Sequence, residues 1–464
     1  MALSSNSKFH IAMFPWLAIG HMTPLLHLAN ELAKRGHTIT YFLPKKAQLQ
    51  LQHLNLYPNL ITFHTLTIPH VDGLPPGTET ASDIPIHLCT FLTEASDLTQ
   101  DQVELAFIAK KPNFVIHDNV HWMPQFVKQF GIKSICYHAV SAATVAIAFV
   151  PGLNLPKDRP ITKEDLSQPP PGYPSSKVVL LEHESPALMM ISQPMGKNIT
   201  FYERLIKAKK ESDAIAMRTC QEFEGKLCEY IATQYQKPVF LTGPVLPGED
   251  MKTPLEDRWA NWLGGFNPGS VVFCAFGSQF ILEKDQFQEL VLGFELAGLP
   301  FLIALKPPTG CATIEEALPE GFEERVKGRG VVYGGWVKQP LILKHPSVGC
   351  FVSHCGFGSM WESLMSDCQI VLVPLLWDQI LNTRQLAEEL ETAVEVEREK
   401  NGWFSKESLC KAIKSVMDAD SEVGMKVKNN HTKWKEILGK PEFLNGYVDR
   451  FVQNLHDLDG AKQD

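Results

Sequence analysis

The sequence has no C-x-x-C pair, no low-complexity tract, no internal repeat and no apolar run that approaches a bilayer's width. A membrane span needs about 20 consecutive apolar residues, so no transmembrane segment is expected. Ten cysteines are scattered, at positions such as Cys89, Cys136, Cys220, Cys274 and Cys410. Without paired spacing they indicate neither a zinc knuckle nor a redox dithiol, and unpaired cysteines in apolar surroundings suit a reducing compartment. Basic residues are in deficit, with 43 Lys and Arg against 52 Asp and Glu and a formal net charge of -9. Nucleic-acid binding draws on a basic face that displaces counterions, so that class of partner is set aside, while a small molecule bearing phosphate is still allowed. The first residues, Met1 to Lys8, are polar, and the apolar stretch Phe9 to Ile19 holds a proline and ends at Gly20-His21. That stretch reads as a buried strand rather than a secretory leader, which makes the cytoplasm the expected location.

What is present is an ordinary globular composition, 44% hydrophobic and 20% charged, in a chain too long for one core. Two domains of roughly 200 residues each are expected. Phe9 to Phe14 reads as a strand, Gly20 as part of a turn, Pro24 to Lys34 as a helix that Pro24 opens and Gly36 stops, and Thr38 to Leu43 as a second strand. A strand–helix–strand unit of this kind predicts a parallel sheet. Phe114 to His117 and Ser134 to His138 read as further strands, and the proline-dense stretch from about Pro151 to Glu182 as a long irregular loop, a frequent form for a lid or pocket wall. A second α/β series starts near Ser270, with strands at Val271–Phe276, Pro300–Leu305, Gly330–Tyr333, Gly349–Ser353 and Gln369–Pro374 and a helix over Lys284–Ala297. The expected division is an N-terminal domain over 1–243, a linker over 244–258 near the Pro/Gly cluster, a C-terminal domain over 259–440, and a last helix over 441–464 packing back on the first domain. The fold class is α/β, two facing doubly wound domains, with ligand expected in a crevice at the strand C-terminal ends.

The densest chemistry lies between Trp336 and Gln379. Val352-Ser-His-Cys-Gly-Phe-Gly-Ser-Met-Trp-Glu reads as strand, glycine-rich turn and helix opening. Such a turn lets backbone approach an anion, and the helix N-terminus offers free N–H groups and a positive dipole end. His354 and Ser359 are placed to donate to a diphosphate, and Glu362 to accept from ribose hydroxyls. Taken alone, glycines in an α/β turn are more often simple turn formers. The register of Trp336, Gln339, His345, Pro346, Gly349, His354, Cys355, Gly356, Ser359, Glu362, Pro374, Asp378 and Gln379 resembles the 44-residue signature box of plant UDP-dependent glycosyltransferases of secondary metabolism. The resemblance extends from the Gly20-His21-x-x-Pro24 start to the C-terminal helices. It implies the glycosyltransferase B fold of two Rossmann-like domains, with Trp336 on uracil, Gln339 and Glu362 on ribose, and His354, Ser359 and Ser278 on phosphate. Val337, Gly356 and Gly358 complete the nucleotide contacts, and Ser141, Trp377, Asp378 and Gln379 face the donor sugar. The family's usual Trp-Asn after His-Cys-Gly is replaced by Phe357-Gly358, so backbone at Gly358 must stand in for a phosphate-binding side chain. That variant, with the segment Leu74-Pro-Pro-Gly-Thr-Glu-Thr-Ala-Ser-Asp, resembles the subgroup that adds a sugar to the sugar of a glycoside.

In the first half, His21 follows the first strand and Asp118 follows the strand Phe114–His117. A histidine titrating near neutrality suits proton removal from a hydroxyl, and a carboxylate on its other nitrogen fixes the tautomer and steadies the imidazolium. By itself a histidine after a strand is more often structural, and Asp118 has a second reading as a cap; the resemblance implies a catalytic pair. His10, His37, His117, His121 and His138 read as structural or pocket-lining. The expected reaction is inverting O-glycosyl transfer, most readily from UDP-glucose, since Gln379 ends the box, to a hydroxyl on the sugar of a flavonoid or other plant glycoside. The resemblance implies no cofactor and no metal, and Asp418-Ala-Asp and Asp457-Leu-Asp read as chance matches to a metal motif. A monomer is expected. Transfer directly to an aglycone and a UDP-sugar binding protein without catalysis are the alternatives; a UDP-sugar epimerase or a phosphorylase is the other class weighed, and no motif for the phosphorylase's cofactor lysine appears.

Overall fold

A computed structural model describes residues 7–156, 158–246, 254–277 and 280–460. The chain separates into two compact units, one from Met1–Pro174, Leu188–Asp250 and Pro441–Asp464, the other from Ser175–Ala187 and Met251–Lys440.

The first unit is built on seven strands, β1 (His10–Phe14), β2 (Thr38–Pro44), β3 (Ile61–Leu66), β4 (Phe114–His117), β5 (Lys133–His138), β6 (Ala214–Met217) and β7 (Val239–Leu241). They lie in the order β3-β2-β1-β4-β5-β6-β7, all parallel. The central strands are apolar runs because both faces are covered, which is the usual condition of a parallel sheet. The strand order reverses between β1 and β4, which pair in register with Phe14 opposite His117. Beyond that pair, at the carboxyl ends, a doubly wound sheet opens its ligand crevice.

The second unit repeats the plan with six strands, β8 (Val271–Ala275), β9 (Phe301–Ala304), β10 (Gly330–Tyr333), β11 (Val348–Ser353), β12 (Gln369–Leu372) and β13 (Val394–Glu395). Their order is β10-β9-β8-β11-β12-β13, again parallel, with the reversal between β8 and β11. Gly349 lies where β11 passes β8: a Cβ there would meet the Gly269 carbonyl oxygen at 2.0 Å, so no other residue fits.

The helix Pro441–Gly460 clusters with the first unit, where Val448, Phe451 and Leu455 are fully buried among Phe9, Leu28 and Phe240. Burial on this scale stabilises by about 2 kcal/mol per side chain. The span 1–243 expected for the first domain requires one correction: Ser175–Ala187 belongs to the second unit. Glu184 holds it there, accepting from Arg384 at 2.9 Å and Arg398 at 3.3 Å, and Lys177 donates to the Glu388 carbonyl. The middle of the expected linker, from 247 to 253, lies outside the described residues. A second correction concerns the first helix, which starts at Ile19, not Pro24. The amides of His21 and Met22 both reach the Ala18 carbonyl, so winding begins before the proline, which lacks only the bond its own N–H would have made. Among the described residues no helix is long and apolar enough to cross a membrane.

Candidate functional site

In the first unit, the early helix start moves His21 from a turn into the first turn of Ile19–Lys34. Asp118 is the residue directly after β4, its N–H donating to the Phe14 carbonyl at the end of β1. Two adjacent strand ends therefore place the two side chains together, and His21 Nδ1 lies 2.5 Å from Asp118 Oδ2. Asp118 is 2% exposed while the His21 side chain is 22% exposed. The carboxylate is sealed and the imidazole faces outward, so Nδ1 keeps its proton toward Asp118 and Nε2 is the basic atom presented to a ligand. The burial that shields Asp118 strengthens its hold on a positive imidazolium.

Three other first-unit histidines are engaged within the fold. His10 contacts the Lys110 carbonyl and Thr40, His37 accepts from the Phe9 amide, and His117 contacts Ser212. Burial lowers His117 to about 3 and His37 to about 4, so both stay neutral. Ser141, expected at the donor sugar, is engaged within the fold. It is fully buried, its Oγ accepts the Thr144 amide as the cap of helix Ala142–Ala148, and it lies 2.9 Å from the Thr144 hydroxyl. In this structure its oxygen serves as a helix cap.

In the second unit the expected nucleotide residues gather at the carboxyl ends of β10 and β11. Trp336, in the loop after β10, is 70% exposed, a large ring held on the surface with a free face. Gln339 donates from Nε2 to Glu362 at 2.7 Å and to Ser359 at 3.1 Å. Three residues spread over more than 20 positions thus share one polar cluster. Val337 is buried in the core beside Trp259 and Tyr333, so its part in any ligand contact is confined to backbone.

His354 opens the turn that follows β11. It is wedged between two glycines: a Cβ on Gly277 would sit 3.2 Å from its ring, and one on Gly356 2.6 Å from Nε2. Burial lowers it to about 4, outweighing the Ala275 carbonyl, so it acts as a neutral imidazole with one N–H to donate. Cys355 follows with φ +59, a left-handed conformation costly for a side chain. It is held by Ser353 Oγ on its amide and by Asn382 Nδ2 on its carbonyl at 3.0 Å. The turn leads into helix Phe357–Leu364, where Gly358 and Ser359 lie in the first turn with amides that have no partner within the helix. Gly358, lacking a side chain, lets a ligand approach this end. Ser278 lies outside the described residues.

Helix Trp377–Arg384 carries the remaining three. Asp378 is half-buried in its first turn, and Gln379 is buried with Oε1 accepting the amides of Leu375 and Leu376 at 2.9 and 3.1 Å. That leaves the Gln379 amide group as a donor. Trp377 is buried, 5% exposed, at the start of the same helix. Gly277 and Asn382 are the residues that sequence reasoning did not reach. Gly277 follows β8 with φ +69, and the Gly-Ser turn alone hinted at it; Asn382 gave no signal. Among the described residues no group of three or more His, Cys, Asp or Glu side chains is placed to hold a metal ion.

The pattern of the family described as UDP-glucoronosyl and UDP-glucosyl transferase matches residues 321–434. Over 453 residues the chain is 58% identical to UDP-glycosyltransferase 79B6 of Arabidopsis thaliana, covering 98% of each. It is 57% identical over 459 residues, with 98% of each covered, to an Arabidopsis thaliana protein named anthocyanidin 3-O-glucoside 2'''-O-xylosyltransferase. Among solved structures, Glycyrrhiza uralensis UGT73P12, complexed with glycyrrhetinic acid 3-O-monoglucuronide, gives a TM-score of 0.79 at 19% identity over 98% of this chain and 97% of that one. Arabidopsis thaliana UGT89C1 complexed with UDP-L-rhamnose gives 0.76 at 22% identity over 97% and 99%. These likenesses establish a common fold, the two-domain glycosyltransferase B architecture.

Proposed function

The chain belongs to the plant UDP-glycosyltransferases and is a UDP-sugar-dependent transferase, and from that premise we propose that it extends the sugar of a flavonoid or similar glycoside, with UDP-glucose as donor. The observation that carries the catalytic part is the 2.5 Å contact of His21 with a buried Asp118. His21 Nε2 takes the proton of an acceptor hydroxyl, and Asp118 stabilises the imidazolium that results. The freed oxygen attacks the anomeric carbon opposite UDP, and configuration inverts. Trp336 stacks on the uracil, Gln339 and Glu362 engage the ribose, and His354, Ser359, Ser278 and the backbone at Gly358 hold the diphosphate. Fixed donors aimed at a leaving group's developing charge are commonly a large part of catalysis, so the reaction in this reading needs no metal.

Transfer onto a glycoside is supported by the relative named for adding xylose to an anthocyanidin glucoside, similar along nearly its whole length. Glucose as donor is supported by Gln379, whose amide group is left to donate to a sugar hydroxyl, with Asp378 beside it to accept. The reading also includes a cytoplasmic monomer, in keeping with ten cysteines that are all unpaired.

His21→Ala is expected to lose 10² to 10⁴ in turnover, roughly the span of a positioned acid–base group. Unchanged turnover at saturating substrates removes His21 from this role. Incubation of a flavonoid glucoside and its aglycone with UDP-glucose, UDP-xylose and UDP-rhamnose, read by mass spectrometry, tests the rest. Product from the aglycone alone replaces the sugar-on-sugar reading with direct glycosylation, and faster xylose transfer replaces the donor.

A further inference from the structure

The dyad depends on the backbone after β4. Asp118 is followed by Asn119 with φ +62, a left-handed conformation that persists where the surroundings impose it. Arg204, on helix Phe201–Glu211, is hydrogen-bonded to this residue. Its side chain is 3% exposed, and Nη1 donates to the Asn119 carbonyl at 3.2 Å. The same guanidinium donates to Asp97 from Nη1 at 3.2 Å and from Nη2, and to the Met195 carbonyl from Nε at 2.9 Å. Asp97, at the end of helix Cys89–Asp97, also accepts from Trp122 Nε1 at 3.0 Å. One ion pair therefore grips both ends of the turn 119–122. The fit leaves no slack, since a Cβ on Gly196 would lie 2.7 Å from Arg204 Nη2 and 3.1 Å from Asp97 Oδ2. A buried arginine–carboxylate pair is an inefficient source of stability, because desolvation offsets the attraction. Its planar, multiply bonded fork is well suited to fixing direction.

We propose that Arg204 and Asp97 are positioning residues for glycosyl transfer, holding the turn after β4 so that the Asp118 carboxylate meets His21 Nδ1. The proposal rests on the reading of His21 and Asp118 as the catalytic pair. Neither Arg204 nor Asp97 touches the reacting atoms; they act through the backbone of Asn119 and the side chain of Trp122. The consequence is a split in kinetics, because the residues assigned to the nucleotide all belong to the second unit.

The test compares full-length Arg204→Gln, Arg204→Lys, Asp97→Asn and Trp122→Phe with His21→Ala and the wild type, each normalised to its folded fraction. Arg204→Gln and Asp97→Asn are expected to lose roughly 10- to 100-fold in kcat, the scale for misplacement near 1 Å, with UDP affinity and the KM for UDP-sugar unchanged. Arg204→Lys should recover part of the loss. Trp122→Phe, which deletes one N–H and keeps an aromatic ring, should fall between. If Arg204→Gln does not fold, Asp97→Asn and Trp122→Phe decide. Wild-type kcat in those two variants, or parallel losses in kcat and UDP affinity, overturns the proposal. Wild-type turnover in His21→Ala overturns the dyad reading instead, and the positioning role falls with it.

Discussion

At the scale of single residues, the turn proposed to hold the diphosphate is governed by what is missing from glycine. His354 occupies a slot whose two walls are Gly277 and Gly356, and a methyl group on the latter would overlap Nε2 at 2.6 Å. Gly356 has φ -59, so the backbone tolerates alanine and the whole penalty is steric. Gly356→Ala should displace the ring and weaken UDP binding by about 1–3 kcal/mol, the cost of overpacking. Titration of UDP into the variant measures this, and wild-type affinity would show that His354 is not held by the glycine. The chemistry of this turn was legible because Gly356, Ser359 and Glu362 stand close together in sequence. Its other wall was not, since Gly277 is separated from His354 by β9 and β10 and meets it only once β8 and β11 pair. The burial of Ser141 and Trp377 was not legible either, because a hydroxyl or an indole looks exposed on paper and only packing reveals the cap or the core it joins.

At the scale of elements, the parallel strands were legible where apolar runs were longer and bounded by glycine or proline, as at β1, β2 and β8. Short ones such as β6, Ala-Ile-Ala-Met, carry too little pattern to separate from a helix turn. The long loop after Pro151 was seen as irregular, yet its division between units was not, because ion pairs decide it. Glu184 meets Arg384 and Arg398, both of which also bind Glu395 on β13. Arg384 closes the helix that begins with Trp377 and Asp378, so this group ties the loop to the far end of that helix. Glu184→Ala leaves two partly exposed cations with one carboxylate and should destabilise the second unit by about 1–3 kcal/mol. Urea unfolding gives the value, and limited proteolysis should show cleavage within 175–187 that the wild type resists. An unchanged midpoint would mean that water replaces the lost carboxylate.

At the scale of the whole molecule, burial sets the response to acid. His27 and His117 are lowered to about 3 and His354 to about 4 by desolvation. Their folded values lie below the unfolded one near 6.5, so the stability they contribute is complete above that value and is lost as pH falls through 4 and then 3. Each unit of separation is worth about 1.4 kcal/mol, so unfolding should take up protons and urea midpoints should drop steadily between about pH 6.5 and pH 4. A flat profile across that window would mean that these histidines charge without unfolding. The division into two units also bears on how the molecule is made. The first unit's core is closed by Val448, Phe451 and Leu455, which emerge from the ribosome only after the entire second unit. At bacterial to eukaryotic elongation rates that is a wait of roughly 10–40 s, during which β1 and its neighbours carry an uncovered apolar face. The half of the protein that is translated first is thus the half that finishes folding last, and in that interval it is a natural client for chaperones.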